Sequence, residues 1–346
     1  MNVYGVAPGP AQTGDPSRVM QEGSRDTMGR MLAAHARAAR EHRRFDARDM
    51  RTNALLNDDE WRQFDTTMIT TAEERLRMIA DLQGAGLVMP LDGLGVMEVE
   101  HERLGTFTEA EQTLSGTPRS RFDLPDKDFV FTPVPITHKD FNLELRKVLS
   151  SRRRGSGLDV VGVDLATRQV SEKLEDMAFN GSVVTLGGSS IAGLLTQADR
   201  NTFTIATAWD AVATNDLILA DVLSMKQLLI DDHMFGPYIL YVSANWETVM
   251  DDDYGTATTT LTQTVRQRLE AVEGISAVRT SDALPDDTAL MVQMTRDVVD
   301  LPSAQAITST DWETQGGWSL HFKVWTALTI RVKSDLSGQS GVCHGS

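Results

Sequence analysis

Cysteine is nearly absent from this sequence, since the 346 residues contain only Cys343. A single cysteine excludes an internal disulfide, a cysteine-based metal site and a Cys-x-x-Cys redox pair, and it is typical of a reducing compartment. The sequence also lacks an apolar run of about 18 residues, and its start, MNVYGVAPGPAQTGDPSR, lacks the basic-then-apolar pattern of a signal peptide. We therefore expect a protein that is neither secreted nor inserted in a membrane.

Basic residues are in deficit as well. Lys and Arg number 33 against 49 Asp and Glu, which gives a net charge of −16. This balance argues against a protein that coats nucleic acid over most of its surface, because phosphate contact needs clustered Lys and Arg. The deficit is uneven, because residues 1–55 carry nine Arg against six acids, or +3, and the remaining 291 residues carry −19.

Hydrophobic residues make up 41% of the chain, enough for a sizeable core in one or two domains. Their order along the chain favours an α+β class over alternating βαβ units. Helical spacing predicts four helices, over 58–84, from Asp159 or Asp164 to Phe179, over 209–230 and over 261–272. Period-two or compact apolar runs predict strands at 238–242, 289–292 and 318–332, whereas residues 182–207 are expected to be irregular.

The segment after Pro90 changes period. Glutamates alternate with apolar residues after Val96, a polar tip follows at 115–118, and the chain returns through Asp128 to Val134. This pattern predicts a long two-stranded excursion with a charged surface and few residues to bury. Such a hairpin is not stable on its own and needs a surface to pack on.

No set of residues indicates catalysis. The turn at residues 186–190 has neither dinucleotide-binding nor P-loop spacing, and a tight turn is the favoured interpretation. His35 and His42 lie two helical turns apart among arginines, which is a poor cation site. The acidic runs at 231–233 and 251–253 could supply oxygen ligands, but solvated turns are the commoner use of such runs. We expect no cofactor, no metal and no enzyme activity.

Two basic clusters admit two interpretations. Six arginines follow one another at spacings that place several on one helical stripe: Arg37, Arg40, Arg43, Arg44, Arg48 and Arg51. A second cluster is formed by residues 152–154. Either cluster could contact phosphate weakly and without sequence preference, or form ion pairs with acidic neighbours in the same or another subunit. The sequence shows no interleaved aromatic residues for base stacking, so the ion-pair interpretation is favoured.

One run is specific enough to compare with a known family. Residues 133–181 read PVPITHKDFNLELRKVLSSRRRGSGLDVVGVDLATRQVSEKLEDMAFNG. The second half contains a helix motif whose polar and terminal positions are Arg168, Glu172, Lys173, Glu175, Asp176, Phe179, Asn180 and Gly181. This run resembles the major capsid proteins of tailed bacteriophages, in the branch closest to the encapsulin shell proteins. Supporting similarities lie at residues 235–241 and 326–331, and the resemblance covers about 58–332.

The resemblance implies the Hong Kong 97-type capsid fold, an α+β fold with a long spine helix. It also implies the following parts: an N-terminal arm at 1–57, a helix of the N-terminal region at 58–92, an extended loop at 93–137, a peripheral domain at 138–202 and 313–333, and an axial domain at 203–312. The polar composition of the last residues predicts a flexible tail at 334–346. The Arg-rich arm would suit the inner surface of a shell.

The function implied by the resemblance is structural. Subunits would self-assemble as pentamers and hexamers into an icosahedral shell that encloses double-stranded DNA, with weak non-specific contact to that DNA and no membrane. Portal, scaffolding and decoration proteins would be further partners, and the chain would be made in the host cytoplasm and located in the virion capsid. Two alternatives stay open: an encapsulin-like bacterial compartment that encloses a cargo enzyme, and an acidic enzyme of unknown type.

Overall fold

The structure is a computed structural model that describes residues 58–110, 112–115, 124–154, 160–212, 214–256 and 259–346. The predicted N-terminal arm and its six candidate arginines lie outside these residues. The described residues form seven helices: α1 Asp58–Arg75, α2 Met78–Gly84, α3 Leu145–Arg154, α4 Val161–Asn180, α5 Asp216–Asp231, α6 Glu247–Met250 and α7 Val265–Glu270.

Sixteen strands accompany these helices in the described residues. They are β1 Val88–Pro90, β2 Glu98–Leu104, β3 Lys127–Pro133, β4 Ile136–Glu144, β5 Ser182–Leu186, β6 Ser189–Ile191, β7 Asn201–Phe203, β8 Tyr238–Ser243, β9 Asp253–Thr256, β10 Thr259–Thr264, β11 Ile275–Ser281, β12 Ala289–Gln293, β13 Val299–Thr314, β14 Ser319–Leu328, β15 Arg331–Val332 and β16 Val342–Gly345. The mixed order of elements confirms the predicted α+β class.

The first sheet carries the long helix α4. Its strand order is β1-β13-β14-β4, and β15 also pairs with β13. Alternate residues of β14, including Leu320, Phe322 and Val324, are buried. Phe322 stacks on Phe141 of β4 at 5.2 Å between ring centroids and also meets Phe64 of α1 at 5.4 Å. Aromatic packing therefore joins α1 to this sheet.

The second sheet is buried on both faces. Its order is β11-β8-β12-β16-β7, and all six residues of β8 are buried. Ile239 and Tyr241 belong to the apolar core that includes α4, whereas Leu240 and Val242 belong to a second core with α5 and α7. A continuous apolar run is what a strand covered on both sides requires. The compact buried strand predicted at 238–242 is thus confirmed.

Three two-stranded pairs complete the described fold: β2 with β3, β5 with β6, and β9 with β10. The β2–β3 pair confirms the predicted two-stranded excursion, with Glu98 opposite Pro133 and Leu104 opposite Lys127. The β5–β6 pair corrects the expectation that residues 182–207 are irregular. Its tight turn contains Gly187 and Gly188, both at positive φ, and β3 lies against it.

Helix boundaries differ from the predictions in three places. The helix predicted over 58–84 breaks after Arg75, and the second part begins at Met78. The helix predicted from Trp209 begins at Asp216. Trp209 lies in an irregular segment before this helix and stacks on Trp246, with 4.6 Å between the ring centroids. The helix predicted over 261–272 begins at Val265, because Thr264 accepts a capping hydrogen bond from the Gln267 amide.

The boundary predicted at residue 312, between the axial domain and the last part of the peripheral domain, does not coincide with the division between the two sheets. β13 runs to Thr314 and pairs with β14 in the first sheet, so residues 299–312 lie there and not with the second sheet. Similarly, the strand predicted over 318–332 is two strands, β14 and β15. Periodicity missed β13 because Pro302 and a run of Ser, Thr and Gln hide its alternation.

The prediction of a flexible tail at 334–346 is wrong. β16 lies inside the second sheet between β12 and β7, and Cys343 has no exposed surface. One glycine of this segment is a site of close approach: a Cβ on Gly341 would meet the Val298 side chain at 2.4 Å. Glycine is needed here because no side chain fits, not because the chain must move.

The buried position of Cys343 makes its reactivity a test of this correction. Burial raises the pKa of the Cys343 thiol to about 12, so the reactive thiolate is scarce at pH 8. We expect a disulfide reagent such as dithionitrobenzoate to label the native chain at least about 100-fold more slowly than the chain unfolded in guanidinium. Immediate labelling of the native chain would instead support a mobile tail.

Candidate assembly surfaces

The β2–β3 hairpin has an inner and an outer face. On β2 the exposed residues alternate with those turned to the subunit, so Glu98, Glu100 and Glu102 are exposed whereas Val99 is buried. This is the period of two that any strand imposes. One face of the hairpin therefore packs on its own subunit, and the other face is exposed to solvent.

Two arginines hold the inner face. The Arg331 guanidinium pairs with Asp300, with 2.9 Å between Nε and Oδ1, and its Nη1 donates to the Glu100 carbonyl at 2.9 Å. The Arg103 guanidinium donates to Asp199 at 2.8 Å. Because planar guanidinium groups fix direction as well as distance, these bonds hold the inner face of β2 against the body of the subunit at Glu100 and at Arg103.

His101 lies between these two arginines on the inner face. Burial, together with the positive charges of Arg331 and Lys333, lowers the pKa of His101 to about 4. The imidazole is therefore neutral at physiological pH and adds no positive charge beside the two guanidinium groups.

The outer face combines acids with aromatic rings. Cross-strand neighbours place Phe131 beside Glu100 and Phe129 beside Glu102. Phe129 is 51% exposed and Phe131 is 38% exposed, although Phe side chains are usually buried. Glu102 is bonded to Lys127 at 3.0 Å. We call these residues, together with Glu98, the acid-aromatic face.

The long helix α4 supports the N-terminal helices through Glu175. This side chain is 4% exposed, and its two oxygens accept hydrogen bonds from the amides of Met78 at 3.2 Å and Ile79 at 3.1 Å. Burial raises the pKa of Glu175 to about 7, an effect that the two backbone hydrogen bonds oppose. The break between α1 and α2 is what frees these amides to reach the carboxyl group.

The same helix junction is bonded to the second sheet. The Tyr241 hydroxyl donates to Asp81 of α2 at 2.9 Å, and Arg279 of β11 lies 3.6 Å from the same carboxylate. Burial and the Asp81 charge raise the pKa of Tyr241 well above its usual value. α2 is thus bonded to α4 on one side and to the second sheet on the other.

The other residues of the helix motif stabilise α4 and its end. Arg168 pairs with Glu172 at 2.6 Å and Lys173 with Asp176 at 2.7 Å, all four partly exposed. Exposed pairs of this kind are screened by solvent and contribute little to stability.

The C-terminal end of α4 is closely packed. Phe179 is buried and meets the Tyr241 ring edge-on at 5.6 Å. The Asn180 amide donates to Asp176 at 2.9 Å and to the Ala283 carbonyl at 3.3 Å. Gly181 has a φ of 79°, and a Cβ there would meet the Ile191 carbonyl oxygen at 2.4 Å. The motif thus describes a helix and its termination.

The acidic runs weighed as metal ligands have protein partners. Asp232 accepts hydrogen bonds from Asn201 at 2.7 Å and from the Ser340 amide at 3.1 Å. Asp251 lies 3.3 Å from Arg266. Within the described part of the chain, no group of three or more His, Cys, Asp or Glu residues is arranged to hold a metal ion.

None of the helices in the described residues is both long and apolar enough to span a lipid bilayer.

The second basic cluster lies on α3, which follows β4 directly. Arg146, Leu149 and Arg153 are exposed, whereas Val148 is buried. At the opposite end of α3 from this cluster, the Leu145 amide donates to the Trp318 carbonyl at 3.1 Å. The sequence did not indicate roles for Arg103 and Arg331, because their partners are distant along the chain.

A family model described as a family of unknown function, DUF6260, matches residues 50–345. The chain belongs to this family. A diheme-cytochrome-encapsulin shell fusion protein from Kuenenia stuttgartiensis is 25% identical to it over 190 residues, 54% of this chain and 48% of the relative. The chain therefore spans about half the length of that curated relative.

Solved capsid structures share the fold. A virus-like particle from Pyrococcus furiosus matches with a TM-score of 0.59 and 13% identity, covering 82% of this chain and 98% of the other. The capsid of Myoviridae phage XM1 matches with a TM-score of 0.58 and 10% identity, covering 76% and 90%. The DUF6260 chain thus has the Hong Kong 97-type fold, as the sequence resemblance predicted.

The raised pKa of Glu175 predicts that the free energy of unfolding depends on pH, and it fixes the sign of that dependence. The folded state binds its proton more tightly than the unfolded state between pH 4.5 and about 7, so the stability it contributes is lost as pH rises through this window. We expect the free energy of unfolding, relative to Glu175→Gln, to fall by up to about 3 kcal/mol between pH 4.5 and 7.5. Urea denaturation at a series of pH values measures this difference.

Glu172→Gln is the matched control, since Glu172 lies on the same helix with an exposed carboxylate paired to Arg168. It should show no comparable fall across this pH range. A pH-independent difference for Glu175→Gln would mean that Glu175 stays ionised in the folded state.

Substitutions at two glycines with positive φ distinguish the energetic cost of backbone strain from the cost of steric crowding. Gly187→Ala introduces strain only, because nothing lies within 4 Å of its Cβ, and should cost about 1 kcal/mol. Gly181→Ala adds a clash with the Ile191 carbonyl and should cost roughly 3 kcal/mol or more. Chemical denaturation of both variants measures the difference, and equal losses would contradict the close packing at the end of α4.

Proposed function

We propose that this chain is the repeating subunit of an icosahedral shell, acting as the major capsid protein of a tailed bacteriophage and enclosing double-stranded DNA. The observation that supports this proposal most is the acid-aromatic face, which is left exposed on a hairpin anchored rigidly at its root. A two-stranded hairpin with one uncovered apolar face gains stability when a neighbouring subunit covers it.

Closure of a shell follows from this geometry. A hairpin that lies on a different surface of the next subunit makes a heterologous contact, and such contacts close into rings when the rotation permits. Pentamers and hexamers of this kind form a closed container through many interfaces of about 1,000 to 2,000 Å². In this proposal the first sheet with α4 forms the peripheral domain, and the second sheet with α5 to α7 forms the axial domain.

The enclosed material is the finer part of the proposal. Six arginines, Arg37, Arg40, Arg43, Arg44, Arg48 and Arg51, fall in an N-terminal segment of net positive charge, which suits a sequence-blind contact with packaged DNA. Portal, scaffolding and decoration proteins would be further partners, and the shell would be made in the host cytoplasm and located in the virion.

An encapsulin-like compartment around a cargo enzyme is the second candidate. Similarity to an encapsulin shell fusion protein over 190 residues favours it. The content of particles purified from producing cells separates the two candidates: double-stranded DNA supports the capsid, whereas a protein cargo supports the compartment.

Shell formation is tested with the purified full chain. We expect negative-stain electron microscopy to show closed particles of uniform diameter, and light scattering to give the mass of many tens of subunits. A stable monomer under all conditions of salt and pH would contradict both shell candidates.

Deleting the hairpin tests its role in assembly. Glu98 and Pro133 lie opposite each other at its root, so residues 98–133 can be replaced by a short Gly-Ser linker that keeps β4 intact. We expect a folded subunit, judged by circular dichroism, that no longer forms particles. Normal particles from this variant would show that the hairpin is not an assembly element.

A further inference from the structure

A histidine on the inner face of the hairpin has a ring nitrogen without a hydrogen-bond partner. His101 alternates with the exposed glutamates of β2, and Val130 of β3 lies opposite it. Its Nδ1 atom is buried and, among the described residues, bonds to no other group. Most buried polar atoms have a partner, so this ring nitrogen needs an explanation. A neutral imidazole suits the position better than a charged one, because it carries only one N–H group.

Three cationic side chains surround the His101 ring. Arg103 follows on the same face of β2, and Arg331 of β15 and Lys333 approach from the body of the subunit. The Nη1 atom of Arg331 donates to the Glu100 carbonyl at 2.9 Å, next to His101 in the chain. Arg103 also has a buried Nε atom without a partner among the described residues. The inner face of β2 is therefore held to the body mainly by positive charges.

Asp300 is already shared by two of these cations. It accepts a hydrogen bond from the Nε atom of Arg331 at 2.9 Å, and the Nζ atom of Lys333 lies 2.7 Å from its other oxygen. Arg331 and Asp300 are both buried. A buried carboxylate that faces two cations is neutralised by them, so it offers little to a third positive charge.

The remaining charged groups leave His101 without an acid of its own. Asp199 accepts a hydrogen bond from Arg103 at 2.8 Å. Asp128 of β3 lies opposite Arg103 on the same face and is exposed. The β5–β6 pair, against which β3 lies, contains no titratable side chain. A charge added at His101 would therefore meet mostly cations.

We propose that His101 is an acid-sensitive latch, whose protonation releases the inner face of the hairpin from the body of the same subunit. The imidazolium ion places a fourth positive charge among Arg103, Arg331 and Lys333. It also carries an Nδ1–H donor that is buried without an acceptor. Both costs disappear when the ring reaches solvent, so acid favours the released hairpin. The latch lies within one subunit and does not depend on the proposed shell function.

The pH window of the latch follows from the neutral ring that the docked hairpin favours. Burial and the charges of Arg331 and Lys333 lower the pKa of His101 to about 4, against about 6.5 for a solvated histidine. The docked state is therefore fully favoured above pH 6.5 and loses stability as pH falls from 6.5 towards 4. Glu175 acts in the opposite sense, because its raised pKa contributes stability that acid restores. Acid thus loosens the hairpin without loosening the junction between α2 and α4.

Hydrogen exchange of the full chain, kept as dissociated subunits, tests the latch. The protection of β2 and β3 amides is compared at pH 7.5 and pH 5, after correction for the intrinsic exchange rates. The two pKa values of His101 allow a fall in protection of up to about 30-fold, and we expect about tenfold because the ring is partly exposed. β8 should keep its protection, and an equal loss there would mean general unfolding and would overturn the proposal.

His101→Gln is the decisive variant, because glutamine stays polar and never gains the charge. It should keep its hairpin protection at pH 5. His138→Gln is the matched control, since His138 is an exposed histidine of β4 that lies 3.5 Å from Asp140. This control should lose protection at pH 5 as the native chain does. Comparing chains at one pH cancels the contributions of other groups, among them His344, whose pKa is also lowered by burial.

His101→Arg carries a permanent positive charge and should leave the hairpin poorly protected already at pH 7.5. Two further results would overturn the proposal: equal protection of the native hairpin at pH 7.5 and pH 5, or an equal fall in the native and His101→Gln chains. The native measurement needs no substitution, so it decides even where a variant fails to fold. Particle formation is not part of the readout, so the latch and the shell proposal can fail separately.

Discussion

The β2–β3 hairpin packs one face on its own subunit and leaves the other face exposed, and the bonds that fix the inner face determine where the exposed face lies. The inner face of β2 is fixed by Arg331 and Arg103, whose partners are carboxylates of the body and a backbone carbonyl. The outer face is left with glutamates and phenylalanines in solvent. Directional hydrogen bonds and ion pairs thus orient a hairpin whose outer face is exposed to solvent in the single subunit.

The body that carries this hairpin is built for rigidity. The second sheet has an apolar core on each side, and α2 is bonded both to Glu175 of α4 and to Tyr241 of β8. Packed interiors transmit displacement instead of absorbing it. The hairpin is thus bonded to a closely packed body.

Periodicity was sufficient where one stretch of sequence determines one element. The α4 helix follows from its apolar spacing and its Asn180-Gly181 end, and β8 follows from a short, fully apolar run. Local sequence was not sufficient where burial depends on distant neighbours. β16 is only four residues long and lies in a polar, glycine-rich tail, and it forms a strand where β12 and β7 flank it.

For the candidate surfaces too, some features could be predicted from the local sequence and others could not. Alternating glutamates in β2 indicated a charged, two-sided hairpin, and the basic residues of α3 were visible in the sequence. The arginines that orient the hairpin were not, because Arg331 lies 231 residues from the Glu100 carbonyl that it binds. The proximity of Trp318 to α3 likewise depends on the pairing of β14 with β4.

Hydrogen exchange of the hairpin, measured by mass spectrometry in dissociated subunits and in assembled particles, tests the central claim most directly. The account predicts that peptides covering β2 and β3 exchange at least about tenfold more slowly after assembly, whereas β8 is already protected in both states. Equal exchange of the hairpin in the two states would contradict the claim that a neighbouring subunit covers its outer face.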